Sequence, residues 1–499
     1  MVEKGSLCVV ATRRGGIRQA DCRRVITRPF IPSEERVRNI INRVLNLAED
    51  QVEMLLGQVM EEFSYRHRRF EQLLERNFQT VAPYLPGGVS LSENRKLLIG
   101  AYFTSEYSIQ SVGVLNPSIA LHPDQSGLKI GEVRYLITFR CVGEGHISSL
   151  EFRSCIFDAA CNIKTRPISP FVETPELLAP NHYEKSHFIA KLKQRGVYSK
   201  ALARFLQELP PEFTAADLEA RLREGEGQRT LPKRAQSEMR AILQWMDKNV
   251  YRVRFAPDTR ISGRVLFPVL ENEREGIEDV RLVRFTDDDG EVTYYATYTG
   301  YSGHAIVSKL LETRDFLYFK STTLTGKATH NKGLALFPRR IRGKYAMLAR
   351  LDNENNYVAF SDDIYHWDRA EPIQGPSYPW EFVQIGNCGS PIETEAGWLV
   401  LTHGVGAMRK YCIGVALLDL DNPAKLIGRL EEPILCPNEY EREGYVPNVV
   451  YSCGAVIHHD KLIITYAMSD WESGIATVPV KELLANCLAW QAKKKRKGG

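Results

Sequence analysis

Long apolar runs are missing from this sequence: no segment approaches the roughly 18 consecutive apolar residues that a membrane-crossing helix needs. Residues 1–10 hold no apolar core followed by a small-residue cleavage site, and arginines follow at once. An intracellular, unanchored, cytoplasmic protein is expected. Charge of one sign is scarce as well. With 65 basic and 61 acidic residues the net charge is only +4, which gives no global attraction to nucleic acid or membrane. Neither is expected as a partner. The one biased stretch, Lys493-Lys494-Lys495-Arg496-Lys497, reads as a solvated, disordered tail over 491–499. The ten cysteines are scattered singly, with no CxxC pair. This argues against a disulfide framework or zinc site and for reduced, small core residues. No glycine-rich nucleotide loop or metal-ligand cluster is present, so no cofactor and no metal are expected.

What the chain does have is an ordinary globular composition, 43% hydrophobic and 25% charged over 499 residues, and two kinds of periodicity. Residues 34–80 follow helical spacing, with Val37, Ile40, Ile41, Val44, Leu45 and Ala48, then Val52, Leu55, Leu56, Val59, Met60 and Phe63. Ser33 stands at the N-cap position of the first of these helices. A second helical block covers 184–250. The remainder reads as strands, and they repeat. Five Tyr/Leu/Ile-rich runs at 134–140, 292–300, 344–350, 397–404 and 461–470 each end on polar residues. Each is followed by a second strand-like run, at 147–154, 304–310, 356–361, 411–418 and 474–480. The last four first runs begin 52, 53 and 64 residues apart, the length of four-stranded propeller blades. An all-β core is expected, a five-bladed β-propeller with an α-helical N-terminal region and a helical insertion. A long β-sandwich is the structural alternative, because periodicity does not prove closure. The domain reading is a helical N-terminal extension over 1–100, a first blade region over 101–172, the insertion over 173–250 and the remaining blades over 251–490. The apolar stripes of the helices suggest packing at a propeller edge and a homo-oligomer contact or a wall over the funnel.

In a propeller the innermost strands line one funnel. If the five runs are those strands, Arg140, Tyr298, Arg350, His403 and Asp470 converge there, a set suited to a small polar or anionic ligand. Ordinary solvation of strand ends is the competing reading of any one of them.

Several segments carry a family resemblance, in order along the chain. Gly276-Ile277-Glu278-Asp279-Val280-Arg281 resembles the G-x-E-D-P-R signature of glycoside hydrolase family 130. Leu115-Asn116-Pro117 is similar to its F-N-P element, Phe139-Arg140 to its Y-R, and Leu336-Phe337-Pro338 with Gly343-Lys344-Tyr345 and Arg350 to L-F-P…G-K-Y…R. Gly397-Trp398-Leu399 with His403-Gly404, then Tyr440-Glu441 and Val446 to Val450, and Tyr466 with Asp470 complete the series. The likeness spans about 110–485, interrupted near 173–250. It implies inverting phosphorolysis of β-mannosides, giving α-mannose 1-phosphate and a shortened acceptor, with a carbohydrate and inorganic phosphate as the partners. Phosphate is already an anionic nucleophile, so the enzyme needs an acid and a cationic cradle rather than an acid and a base.

By this resemblance Asp279 is the catalytic acid, passing its proton through the mannose 3-hydroxyl to the leaving oxygen. That role implies a raised pKa, with burial and the neighbouring Glu278 as sources. Lys332 and Arg350, 18 residues apart, His403 and Tyr411 align with phosphate contacts, while Asn116, Arg140, Glu278 and Asp470 align with the sugar subsite. Val280 departs from the motif's proline. Gln384 stands where many family members carry a phosphate-binding lysine, and so supplies a hydrogen bond without charge. That departure keeps a β-mannoside hydrolase open, with Glu441 or Glu443 as base, and beyond it a non-catalytic carbohydrate-binding propeller. The linkage and acceptor sugar are not legible.

Overall fold

The computed structural model describes residues 9–178, 182–224 and 231–497. Its core is β-structure arranged as five antiparallel meanders of four strands. The first is Gly113–Leu121, Val133–Val142, Ser148–Phe157 and Ile163–Thr165. The second is Gly276–Thr286, Val292–Tyr301, Ile306–Thr313 and Tyr318–Thr323. The third runs Ala335–Leu336, Tyr345–Ala349, Asn356–Ser361 and Ala370–Gln374. The fourth runs Gln384–Asn387, Gly397–Val405, Tyr411–Leu418 and Leu426–Arg429. The fifth takes Val450–His458, Lys461–Met468 and Glu472–Pro479 from the C-terminal end and its last strand, Thr12–Arg18, from the N-terminal end.

Alternation along each strand feeds two different cores. In the fourth meander Leu399 and Leu401 pack on Ile464 and Tyr466 of the fifth, while Trp398 and Val400 pack on Phe337 and Leu348 of the third. The same division recurs throughout. The second and third meanders share the cluster of Val283, Phe285, Met347 and Ala349, and the first and second share that of Leu136, Phe152, Leu282 and Ala296. Ile463 and Ile475 of the fifth pack with Ile137 and Phe139 of the first. Each such side chain contributes about 1.5–3 kcal/mol by leaving water, so the inter-sheet clusters dominate cohesion.

Two sequence expectations need correction. The five Tyr/Leu/Ile-rich runs are the second strand of each meander, not the innermost. The first strands meet one another instead: Leu282 N donates to Ser118 Oγ (3.0 Å), and Arg281 reaches Asn387 and Tyr451 of the fourth and fifth meanders. These strands escape period-2 detection because bulges interrupt them, between Leu115 and Ser118, Glu278 and Arg281, and Tyr451 and Gly454. Asn116 (φ +48°) and Asp279 (φ +53°) sit at two of those bulges, as residue types that tolerate the left-handed region. The N-terminal hundred residues are not wholly helical either. Thr12–Arg18 covers the edge of Glu472–Pro479, which would otherwise be left unpaired, and Val25–Pro29 pairs with Thr104–Ser108.

Four helices, Glu34–Leu45, Glu49–Phe63, Phe70–Val81 and Glu93–Tyr102, form the N-terminal helical block around Val37, Ile41, Phe78, Leu98 and Phe103. Ser33 is at the first N-cap but makes no side-chain cap bond. The second block, Lys185–Gln194, Lys200–Gln207, Ala215–Glu224 and Lys233–Asn249, has its own core. It is tied to the outer edge of the second meander by the strand Val250–Arg254, paired with Tyr318–Thr323. The basic run expected as a disordered tail continues the helix Val480–Lys497, built on Leu483 and Cys487 against the fourth and fifth meanders. Ala, Gln, Lys and Arg are good helix formers and extend a helix already anchored. No helix among the described residues is long and apolar enough to cross a membrane.

Candidate active site

The first-strand bulges turn side chains inward at one place. Asn116 Nδ2 donates to Asp279 Oδ1, and Arg140 Nη1 lies 3.5 Å from the same oxygen. Arg140 in turn donates from Nε to Ser148 Oγ (2.8 Å) and from Nη2 to Glu278 Oε1 (2.7 Å). The other oxygen of Glu278 accepts from Lys332 Nζ at 2.8 Å. Glu278 therefore joins two cations, one from the first meander and one from the loop after the second. A cleft of about 320 Å³ opens over this group, lined by Leu115, Arg140, His146, Glu278, Tyr445 and Asp470 among others.

The electrostatics differ from expectation. Burial opposes the charge on Asp279, but Arg140, Lys332 and Arg281 outweigh it and hold the carboxyl below its ordinary value. Glu278, expected to raise it, is itself paired with Arg140 and Lys332. The raised carboxyl is Asp470, pushed up to about 6 by burial, against the pull of Arg140 and with Asp279 adding repulsion.

A second group lies beside the first. Arg350 Nη1 donates to His403 Nε2 at 3.1 Å. In the amide orientation that satisfies both ends, Gln384 Oε1 accepts from the same Nη1 (3.2 Å) while its nitrogen donates to the Asn353 carbonyl (3.3 Å). His403 Nδ1 donates to the Asn387 carbonyl (3.2 Å), so Nε2 is left as an acceptor. Burial, with Arg350 and Arg281 nearby, keeps this imidazole neutral, well below its ordinary pKa. His403 thus orients Arg350, where a direct phosphate donor was expected. Its ring lies flat against Tyr411, with centroids 5.8 Å apart and planes 11° apart. The close approach requires glycine at 386, where a Cβ would sit 2.3 Å from the imidazole.

Two of the buried polar atoms left without a partner face opposite needs. Asn116 Oδ1 is an acceptor without a donor, and Arg350 Nε is a donor without an acceptor. Both are among several buried polar atoms that the fold leaves unpaired.

Three sequence-derived candidates fall outside this arrangement. Tyr298 faces the core between the first and second meanders, its hydroxyl taken up by Glu273 (2.8 Å) and Ser321 (2.7 Å). Glu441 is 2% exposed, with Oε1 accepting from Arg13 Nε and the Tyr466 hydroxyl (2.8 Å each) and Oε2 from Arg13 Nη2 (2.7 Å). Its carbonyl accepts from Ser469 Oγ at 2.6 Å, so it anchors the turn that carries Asp470 and has no oxygen left to act as a base. Glu443 is exposed.

Other residues matter that sequence reasoning did not assign. Arg281, buried, reaches Asn387 Oδ1 (3.0 Å), the Leu334 carbonyl (3.4 Å) and the Tyr451 hydroxyl (2.7 Å), fixing the loop that carries Lys332. Its place two residues after Asp279 in the motif was the available signal. His146, isolated in sequence, stacks on Tyr445 at 5.3 Å on the cleft wall. Nothing local links those two.

Known proteins resemble this chain over its C-terminal half. A family model described as beta-1,4-mannooligosaccharide phosphorylase matches residues 258–488. A 1,2-beta-oligomannan phosphorylase of Thermoanaerobacter sp. (strain X514) is 36% identical over 225 residues, 43% of this chain and 74% of that protein. A beta-1,2-mannobiose phosphorylase of the same strain is 37% identical over 233 residues, 44% of this chain and 72% of the relative. Among solved structures, the Listeria innocua beta-1,2-mannobiose phosphorylase bound to beta-1,2-mannobiose overlaps with a TM-score of 0.45 at 23% identity, covering 76% of this chain and 93% of that one. With more than a third of positions shared across nearly three quarters of two characterised relatives, the chain belongs to glycoside hydrolase family 130.

Proposed function

We propose that the protein catalyses inverting phosphorolysis of β-mannosides, releasing α-mannose 1-phosphate and a shortened acceptor. The observation that carries this is the cleft lined by Arg140, Glu278 and Asp470, with Asp279 held by Asn116 and Arg140 and with Lys332 on Glu278. Its carboxyl and guanidinium groups suit sugar hydroxyls, and Lys332 with Arg350, which is held by the neutral His403, suits a phosphate. The names of the relatives point the same way.

In this reading Asn116, Arg140, Glu278 and Asp470 hold the mannose. Lys332 and Arg350 bind phosphate, with His403, Gln384 and Tyr411 shaping that side. A phosphate oxygen bonds to the anomeric carbon as the glycosidic carbon–oxygen bond breaks. The proton passes from Asp279, through the sugar 3-hydroxyl, to the leaving oxygen. Asp279 must be protonated when the cleft is full. A phosphate anion on Lys332 cancels one of the charges that hold its pKa down, and exclusion of water by the sugar adds to this. A hydrolase would need a base, and Glu441 is already bound by Arg13 and Tyr466.

The five meanders act as blades of one closed propeller. Support comes from the core clusters, which link each sheet to the next and the fifth to the first. The helical blocks are additions at its edge that provide a homo-oligomer contact, and the protein works in the cytoplasm.

The test is product identity from β-1,2- and β-1,4-mannobiose with and without phosphate. Mannose 1-phosphate is expected only with phosphate. Free mannose at an equal rate without it overturns the reading in favour of a hydrolase.

A further inference from the structure

Gln384 leaves the phosphate side one charge poorer than the pattern it resembles, and the fold offers a replacement from elsewhere. The fourth meander's central hairpin turns at Ala407–Arg409, where Met408 (φ +57°) and Arg409 (φ +53°) both take the left-handed conformation. That turn sends Arg409 back over Tyr411, with the guanidinium carbon 5.9 Å from the ring centroid. Tyr411 stacks on His403, and His403 binds Arg350. Tyr411 and Gln384 flank Val405 on adjacent strands, so the ring on which Arg409 rests stands across one strand from the uncharged position. It is exposed, and among the described residues no carboxylate forms an ion pair with it. Its charge also reaches the cleft: Arg409 is one of the groups that oppose the rise in the Asp470 pKa.

We propose that Arg409 is a specificity-determining cation for the nucleophile, supplying from the hairpin tip the charge that Gln384 does not. The inference rests on the phosphorylase reading. Guanidinium over an aromatic ring keeps its donors free at the edges, so the stack holds the side chain near the cleft while leaving it able to fork onto a phosphate. Gln384 meanwhile keeps its amide oxygen on Arg350, a bond that a lysine there could not accept.

Arg409→Ala should raise KM for phosphate about tenfold, the scale of a charge-assisted hydrogen bond, with KM for the mannoside changing less than about twofold. Arg409→Lys should recover part of the loss, which a purely structural role for the turn would not predict. In a Gln384→Lys background the Arg409→Ala penalty should shrink to about twofold or less, because the two sites supply one charge. Direct binding of inorganic phosphate by calorimetry separates this from the reaction itself. If the wild-type chain forms mannose 1-phosphate but Arg409→Ala leaves both KM and phosphate affinity unchanged, the role of Arg409 is wrong and the phosphorylase reading stands. If the wild-type chain neither binds millimolar phosphate nor uses it, both fall together.

Discussion

The two halves of the site are built on opposite electrostatic plans. On the proposed sugar side three of the four charges answer one another: Arg140 by Glu278 and Asp279, Glu278 by Arg140 and Lys332, Asp279 by Asn116 and Arg140, with Asp470 the exception. On the other side Arg350 is held by neutral groups, His403 Nε2 and Gln384 Oε1, and Arg409 by an aromatic face. A network of satisfied charges is rigid and preorganised for a neutral sugar, whose hydroxyls exchange for bonds of similar strength. Cations held by neutral partners keep their full charge for an anion. The contrast predicts that damage on the sugar side appears in turnover and damage on the other side in the KM for phosphate.

The largest effect should follow Asp279→Asn. The change is nearly isosteric, and asparagine tolerates the φ of +53° at this bulge. Turnover should fall by at least about a hundredfold, the scale of lost general-acid catalysis, while mannoside affinity is largely kept. A variant that retains turnover on an unactivated mannobiose would remove Asp279 from the acid role and dissolve the division between the halves.

Arg350→Ala tests the other half. It removes a side chain with a buried, unpartnered Nε and leaves His403 Nε2 and Gln384 without their donor. KM for phosphate should rise by about tenfold to a hundredfold, from roughly 1.5–3 kcal/mol of charged hydrogen bonding, and that for the mannoside much less. Equal rises in both constants would mean that the halves are one coupled network.

How much of this was legible depends on whether the signal was local. Asp279 could be found because Gly276, Glu278 and Arg281 stand beside it in one strand. The second and third strands of each meander could be found because both their faces are apolar and they repeat. The first strands were missed because their candidate site residues, Asn116 and Asp279, sit at bulges that destroy alternation. The strand Thr12–Arg18 was missed because it is polar and its partner lies at the far end of the chain. The bond between Arg13 and Glu441 spans 428 residues, and without it Glu441 read as a free carboxylate. The acceptor role of His403 follows from a backbone carbonyl at Asn387, a contact that no residue type announces.

The smallest expected effect concerns the one carboxyl that the sugar side leaves partly unanswered. Asp470 has its pKa raised from 3.8 to about 6. A carboxyl raised on folding is favoured protonated in the native state. Its contribution to stability is therefore fully present below about pH 3.8, is lost as pH climbs through about 6, and stays lost above that. Asp470→Asn keeps the shape, suits the φ of +51° and cannot ionise. The variant should be more stable than the parent at pH 7.5 by about 1–3 kcal/mol, from a shift worth about 1.4 kcal/mol per pH unit. The gain should shrink to about a third of that near pH 4.5 and vanish only below about pH 3.8. Mannoside KM should rise in the same variant, since stability at a binding site is commonly exchanged for function. The measurement is the difference in denaturant midpoints between the two proteins from pH 4.5 to 8. A difference that does not change with pH would show that Asp470 is as well answered as its neighbours, and that the sugar side carries no electrostatic strain.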